Sequence, residues 1–151
     1  MASESTVQMT EAELADFLDA AGTGVLSLAA DDTPYSIPVS YGFEPDGRRF
    51  YLRLGFGPDS EKTRFVDDAE APTARLVVYD RLDDEWHSVV AEGPLAEVDD
   101  DEIDLSVVRA LRRATLPVRA AFDDPEDEIE FRMYALDPAR LTGRRASTDE
   151  A

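Results

Sequence analysis

Apolar residues recur at helical spacing near the start of the chain and then alternate with polar ones over several later stretches. From Thr10 to Ala21, Leu14, Phe17, Leu18 and Ala21 share one helical face, and Thr10 with Glu13 makes a capping-box pattern. Gly22 and Gly24 end this helix. Val25 to Ala29 is a short apolar strand, followed by a turn at Asp31-Asp-Thr-Pro34. From Tyr35 to Phe43 the pattern alternates, with Ile37, Val39 and Tyr41 on one side and Ser36, Pro38 and Ser40 on the other. Glu44-Pro-Asp-Gly47 is a hairpin turn, and Arg49 to Leu54 is the returning strand. Pro38 has no N–H to give a ladder, so its strand is expected to be an edge, to bulge, or to face a ligand there.

Further along, Ser60 to Ala69 is expected to be helical with Ser60 as N-cap. Thr73 to Tyr79 has the pattern of a buried strand. Glu85 to Val98 is the longest strand, with a bend or bulge expected at Gly93-Pro94. Asp99 to about Thr115 is helical in pattern: Ile103, Val107, Ala110, Leu111 and Ala114 share a face. Arg109, Arg112 and Arg113 in that run are expected to be solvated and paired with the preceding acids. Ile129 to Leu136 is the last strand, and the tail from Asp137 to Ala151 is expected to be partly ordered. Hairpin-linked strands with three helices predict an α+β domain, an antiparallel barrel with flanking helices. A single domain is expected over residues 1–151, with 1–8 and 145–151 flexible.

Hydrophobic residues make up 43% of the 151, enough for a real core. No apolar run approaches the roughly 18–20 residues of a membrane span, and no secretory signal is visible, so a cytoplasmic protein is expected. With no cysteine, disulfides, thiolate metal sites and cysteine nucleophiles are excluded, and no metal site is expected. The net charge of −19 is spread over both halves of the chain and disfavours nucleic acid and anionic membranes as partners. Such an acid excess suits either a basic partner or a very salty cytoplasm. The basic residues are 14 arginines and one lysine, Lys62. A basic partner gives no reason to lose lysine, so the salt-adapted reading is preferred.

Lys62 stands in Gly55-Phe-Gly-Pro-Asp-Ser-Glu-Lys-Thr63, between a strand and a helix. An ammonium beside glycines and hydroxyls at a loop-to-helix junction suits an anion such as phosphate. The competing reading is a surface lysine with no task.

Several segments, in order, resemble the pyridoxamine 5'-phosphate oxidase-like flavoproteins, whose fold is an FMN-binding split β-barrel. The segments are Gly24-Val-Leu-Ser-Leu28, Pro34-Tyr-Ser-Ile-Pro-Val-Ser-Tyr41, Arg49-Phe-Tyr-Leu-Arg53, Ser60-Glu-Lys62, Ala74-Arg-Leu-Val-Val78 and Ser88-Val-Val-Ala-Glu-Gly93, with a weaker echo over 129–144. The resemblance implies FMN as cofactor and a homodimer with the flavin at the interface. It implies that Ile37, Pro38, Val39 and Ser40 run along the isoalloxazine. Arg53 and Leu54 would begin the stretch that meets the ribityl chain and phosphate. Ser60, Lys62 and Thr63 would bind the phosphate, and Ser88 would come from the partner subunit.

The chain departs from the members that oxidise pyridoxamine phosphate. It has Glu61-Lys62 where they carry Arg-Lys, and Trp86-His87-Ser88 where they carry Arg-Gln. Vitamin B6 oxidation is therefore not expected. An FMN-dependent oxidoreductase acting on another small molecule is expected. The alternative is a non-enzymatic dimer binding flavin, deazaflavin or haem for storage or sensing. No catalytic side chain stands out: His87, the only histidine, reads as structural, and Trp86 as interface packing.

Overall fold

The structure is a computed structural model and describes residues 6–58, 62–67, 71–102, 105 and 130–147. Its strands are β1 (Thr6–Gln8), β2 (Thr23–Ala30), β3 (Thr33–Glu44), β4 (Arg49–Phe56), β5 (Thr73–Leu82), β6 (Glu85–Glu97), β7 (Glu130–Leu136) and β8 (Arg140–Ser147). The helices are α1 (Glu11–Ala21) and α2 (Lys62–Asp67), with a 3-10 turn at Asp100–Glu102. No helix among the described residues is long and apolar enough to cross a membrane.

All pairings are antiparallel, in the order β1-β8-β6-β5-β2-β3-β4-β7. β6 also pairs with β7 through Leu95↔Leu136, so the ladder returns on itself and encloses a barrel. The barrel is split in two places. β3 pairs with β2 over Thr33 to Ser40, whereas its ladder with β4 begins at Tyr41↔Leu52. β6 pairs with β8 over Glu85 to Glu92 and with β7 only from Leu95 to Glu97.

Alternation fixes which side chains fill the barrel. Val39, Tyr41, Phe43, Phe50, Leu52, Leu54, Leu76, Val78, Val89 and Ala91 point inward and are buried. Burying each of the large ones contributes about 1.5–3 kcal/mol. Helix α1 closes one side with Leu14, Phe17 and Leu18. Its Thr10–Glu13 capping box forms, and Gly22 ends it at φ 80°. Gly24, expected at the helix end, belongs instead to β2, where a Cβ would collide with the Val77 carbonyl. The Tyr41 hydroxyl anchors the helix end, donating to Leu18 O at 2.7 Å and accepting from Gly22 N at 3.2 Å.

The two-residue turns at Asp31-Asp32 and Asp83-Asp84 have positive φ at both positions, as type I′ hairpins require. β6 continues through Gly93-Pro94 rather than ending there, and the expected interruption is a change of partner. Ala139 N donates to Glu92 O at 2.8 Å, and a Cβ on Gly93 would strike the Asp137 carbonyl.

Loose ends were expected over 1–8 and 145–151. This gives way at residues 6–8 and 145–147, because Thr6–Gln8 pairs with Arg144 to Ala146 of β8. β8 itself takes up a tail expected to be only partly ordered. Arg145, on the inner side of β8, is accommodated by Glu13 at 2.8 Å and Glu85 at 3.1 Å. The helix expected from Asp99 to Thr115 lies mostly outside the described residues.

Candidate functional site

The split between β3 and β4 gathers most of the predicted residues. Tyr41 N donates to Gly22 O, so the odd residues of β3 bond towards β2. The even ones, Pro38 and Ser40, turn their backbone towards the split. Pro38 therefore lies where the β4 ladder has not yet begun, and its missing N–H costs no pairing with β2. The side chains of Ile37 and Val39 point into the core and their backbone groups bond to β2, so of the expected stretch Ile37 to Ser40 only the Pro38 carbonyl and the Ser40 backbone face the split. Pro38 and Ser40 point outward, and Ser40 is half-buried.

β4 divides in the same way. Leu54 is 2% exposed and belongs to the core. Arg53 faces outward with its guanidinium 4.3 Å from the centroid of Phe131. About three residues and 10 Å further along β4 lies Phe56. Around its ring the structure brings two cations, the Lys62 ammonium at 5.8 Å and the Arg132 guanidinium at 4.6 Å.

Helix α2 crosses from the end of β4 back to β3, where Phe65 stacks on Tyr35 at 4.8 Å. Lys62, its first residue, is 5% exposed, and loss of water around the ammonium pushes its pKa below the ordinary lysine value. Thr63 beside it is half-buried. Ser60 lies outside the described residues. With six residues, α2 is too short for its dipole to add much, so the charge at this end is carried by side chains.

A recess of about 560 Å³ opens at this end of the barrel, lined by Val66, Leu95, Glu97, Val98, Asp99 and Glu130 to Tyr134 among others. Val66 lies one helical turn after Lys62, on the same face of α2. Phe131, against which Arg53 rests, also lines the recess. Lys62 and Arg132 thus meet at Phe56 at one end of the barrel, while Arg53 stands on the outer side of the same sheet against Phe131. Arg132 was missed from the sequence, because in Glu-Phe-Arg-Met-Tyr-Ala-Leu it occupies an ordinary polar slot of an alternating strand.

Ser88 is not part of this assembly within one chain. It is exposed on the outer face of β6, opposite Tyr79 and Arg144, with β5 and β2 between it and β3. His87 is buried, stacked on Phe17 at 5.1 Å with Nδ1 3.2 Å from Glu85 O. It helps seat helix α1. Val89 and Ala91 on the same strand are core residues, and between them only Val90 faces out.

A closed antiparallel barrel, split where a proline-bearing strand changes partner, with a cationic end, defines the split-barrel class. The model of the pyridoxamine 5'-phosphate oxidase family matches residues 10–145, and the chain belongs to that family. Among solved structures, an FAD-binding protein from Mesorhizobium loti is similar at 21% identity over 96% of this chain and 99% of that one, with a TM-score of 0.72. The FAD-binding protein from Mycobacterium smegmatis is similar at 20% identity over 95% and 100%, TM-score 0.64. An FAD- and haem-binding protein from the same organism is similar at 19% identity over 98% and 77%, TM-score 0.65. The chain matches no curated protein.

Proposed function

We propose that this protein binds FMN as a homodimer, with the phosphate at the cationic end of the barrel, and is an FMN-dependent oxidoreductase. The observation that carries the reading is Lys62, the single lysine of a −19 chain, 5% exposed beside Phe56. A buried ammonium costs desolvation free energy, and a phosphate carrying nearly two negative charges near neutral pH would offset it. Arg53, on the outer side of β4 towards that end, adds a second cation of the predicted set, and the Pro38 carbonyl and Ser40 backbone, which face the split, would serve the polar edge of the ring system. When bound, the isoalloxazine supplies electron or hydride transfer. The chain's part is to hold the phosphate, to orient the ring along β3 and to keep water from it.

The outer face favours a second copy of this chain as partner. Across the β3–β2–β5–β6–β8 ladder one row runs Pro38, Val25, Val77, Val90, Thr142, with Tyr79 and Trp86 nearby, 65% and 47% exposed. Among the described outward positions of β2, β5, β6 and β8, Glu92 is the one carboxylate, against Arg75, Arg81, Arg140 and Arg144. In a chain with 34 acids, a face nearly clear of them suits burial against a partner. Pro38, Ser40 and Ser88 share this face, so a two-fold partner can bring its own serine to the split. A light-scattering mass of one chain at micromolar concentration would remove both the dimer and the shared role of Ser88.

The similarity to FAD-binding and to FAD- and haem-binding proteins raises the alternative of another ligand. Haem suits the chain poorly, since His87 is committed to Phe17 and α1. The absorption spectrum of the purified protein, with mass analysis of the released chromophore, separates FMN, FAD and haem. Lys62→Ala is expected to weaken FMN by about 10- to 150-fold, from about 1.5–3 kcal/mol for a charge-assisted contact, and to leave riboflavin unaffected. Equal loss for both ligands would assign Lys62 to the fold instead.

A further inference from the structure

We infer that Arg132 is the second anion-binding group of this site and that Glu97 and Glu130 hold it in place until a phosphate displaces them. The inference rests on the phosphate reading of Lys62 and assigns a residue that the sequence motif does not reach.

Arg132 pairs with Leu54 across the β4–β7 ladder, which turns its side chain to the barrel interior near the open end. Its guanidinium is 4.6 Å from the Phe56 centroid, and the Lys62 ammonium is 5.8 Å from the same point. Two cations are thus held within about 10 Å of each other on one aromatic ring, at the margin of a 560 Å³ recess that Arg132 also lines. Like charges so close repel each other, and a purely structural ring contact needs only one of them. A dianion reaching both would relieve that repulsion, with the guanidinium engaging it by its two-pronged donor geometry.

The carboxylates around Arg132 fit temporary partners better than permanent ones. Its Nε lies 3.9 Å from Glu97 and 3.6 Å from Glu130, at the outer limit of an ion pair and longer than a charge-assisted hydrogen bond. Glu130 is exposed, so water can take over its carboxylate when the pair opens. Competition of this kind makes a prediction of opposite signs. Removing the arginine weakens the anion, and removing a competing carboxylate strengthens it.

The test is a titration of FMN and of riboflavin into Arg132→Gln, Arg132→Lys, Glu130→Gln and Lys62→Ala at fixed ionic strength, with a thermal melt of each. Arg132→Gln is expected to lose about tenfold or more in FMN affinity with riboflavin unchanged. Arg132→Lys should lose less, because the charge stays while the fork is lost. Glu130→Gln should gain about two- to fivefold for FMN alone. If Arg132→Gln lowers the melt too far to titrate, Arg132→Lys and Glu130→Gln still decide between the readings. Wild type that prefers FMN, with the preference lost in Lys62→Ala yet kept in Arg132→Gln and unmoved in Glu130→Gln, would overturn the role of Arg132 and leave Lys62 standing. Wild type binding FMN no better than riboflavin would overturn the phosphate reading first, and this inference with it.

Discussion

Burial takes water from the Lys62 ammonium and lowers its pKa, which fixes the sign of two pH effects. In the unfolded chain this lysine keeps its ordinary, higher pKa. Between the two values the unfolded state therefore binds more protons, and ligand-free stability rises as pH climbs through that window. A bound phosphate works in the other direction, since the anion favours the charged ammonium. FMN affinity should then fall as pH rises through the lowered pKa, while riboflavin affinity stays level, and FMN binding in that window should take up a proton. Calorimetry in buffers of different ionisation enthalpy would measure the uptake. Proton uptake equal for the two ligands would mean that the phosphate lies elsewhere. The lysine itself was legible from composition, because one survivor among 14 arginines stands out. Its neighbour Arg132 was not. Only the register of β4 against β7 brings it to Phe56, and pairing between segments some 80 residues apart leaves no local pattern.

Alternation and turn residues foretold the hairpins at the level of elements, and what they left out has a common cause. β1 is three exposed residues, Thr-Val-Gln, too short to show a period and meaningful only beside β8. β8 carries Arg145 on its inner side, which breaks the expected pattern and is tolerated because Glu13 of α1 and Glu85 of β6 meet it. Both strands follow from contacts distant in sequence. Gly93 is the opposite case: it was visible as an irregularity, and its function is now specific. There the β7–β8 connection lies directly on β6, with Asp137 O and Ala139 N where a side chain would be. Backbone on both sides cannot step aside as a flexible side chain would. Gly93→Ala is expected to cost about 3 kcal/mol, read from denaturant melts. It should loosen β8 and β1 before the rest of the barrel, so hydrogen exchange in residues 140–147 should rise first. An alanine variant as stable as wild type would mean that the connection moves freely, and the β6 partner switch would need another cause.

Charge is unevenly placed among the described residues of the molecule, and that bears on both its stability and its assembly. The chain carries 34 acids against 15 bases, yet the outward positions of β2, β5, β6 and β8 hold Glu92 as their one described carboxylate. A net charge of −19 repels itself, and this repulsion opposes the compact state. At 0.01 M ionic strength the screening length is about 30 Å, comparable to the width of the domain, so nearly every pair contributes. At 1 M it is about 3 Å, and only neighbouring charges still interact. The melting temperature should therefore climb with salt, by about 4 °C for each kcal/mol recovered in a domain of this size. Most of the gain should come below about 0.5 M if screening is the cause. A continued linear rise into molar salt, larger for sulfate than for chloride, would instead indicate strengthened apolar burial. Dimer and monomer should differ in this profile. Val90→Glu places a carboxylate in the middle of the apolar row between Val77 and Thr142. If that face meets its own copy, the variant sets two such charges near the two-fold axis, and it should dissociate at low salt and recover part of its dimer as salt rises. Light scattering across the same salt series measures this directly. A Val90→Glu protein with wild-type mass at every ionic strength would show that this face is not the interface.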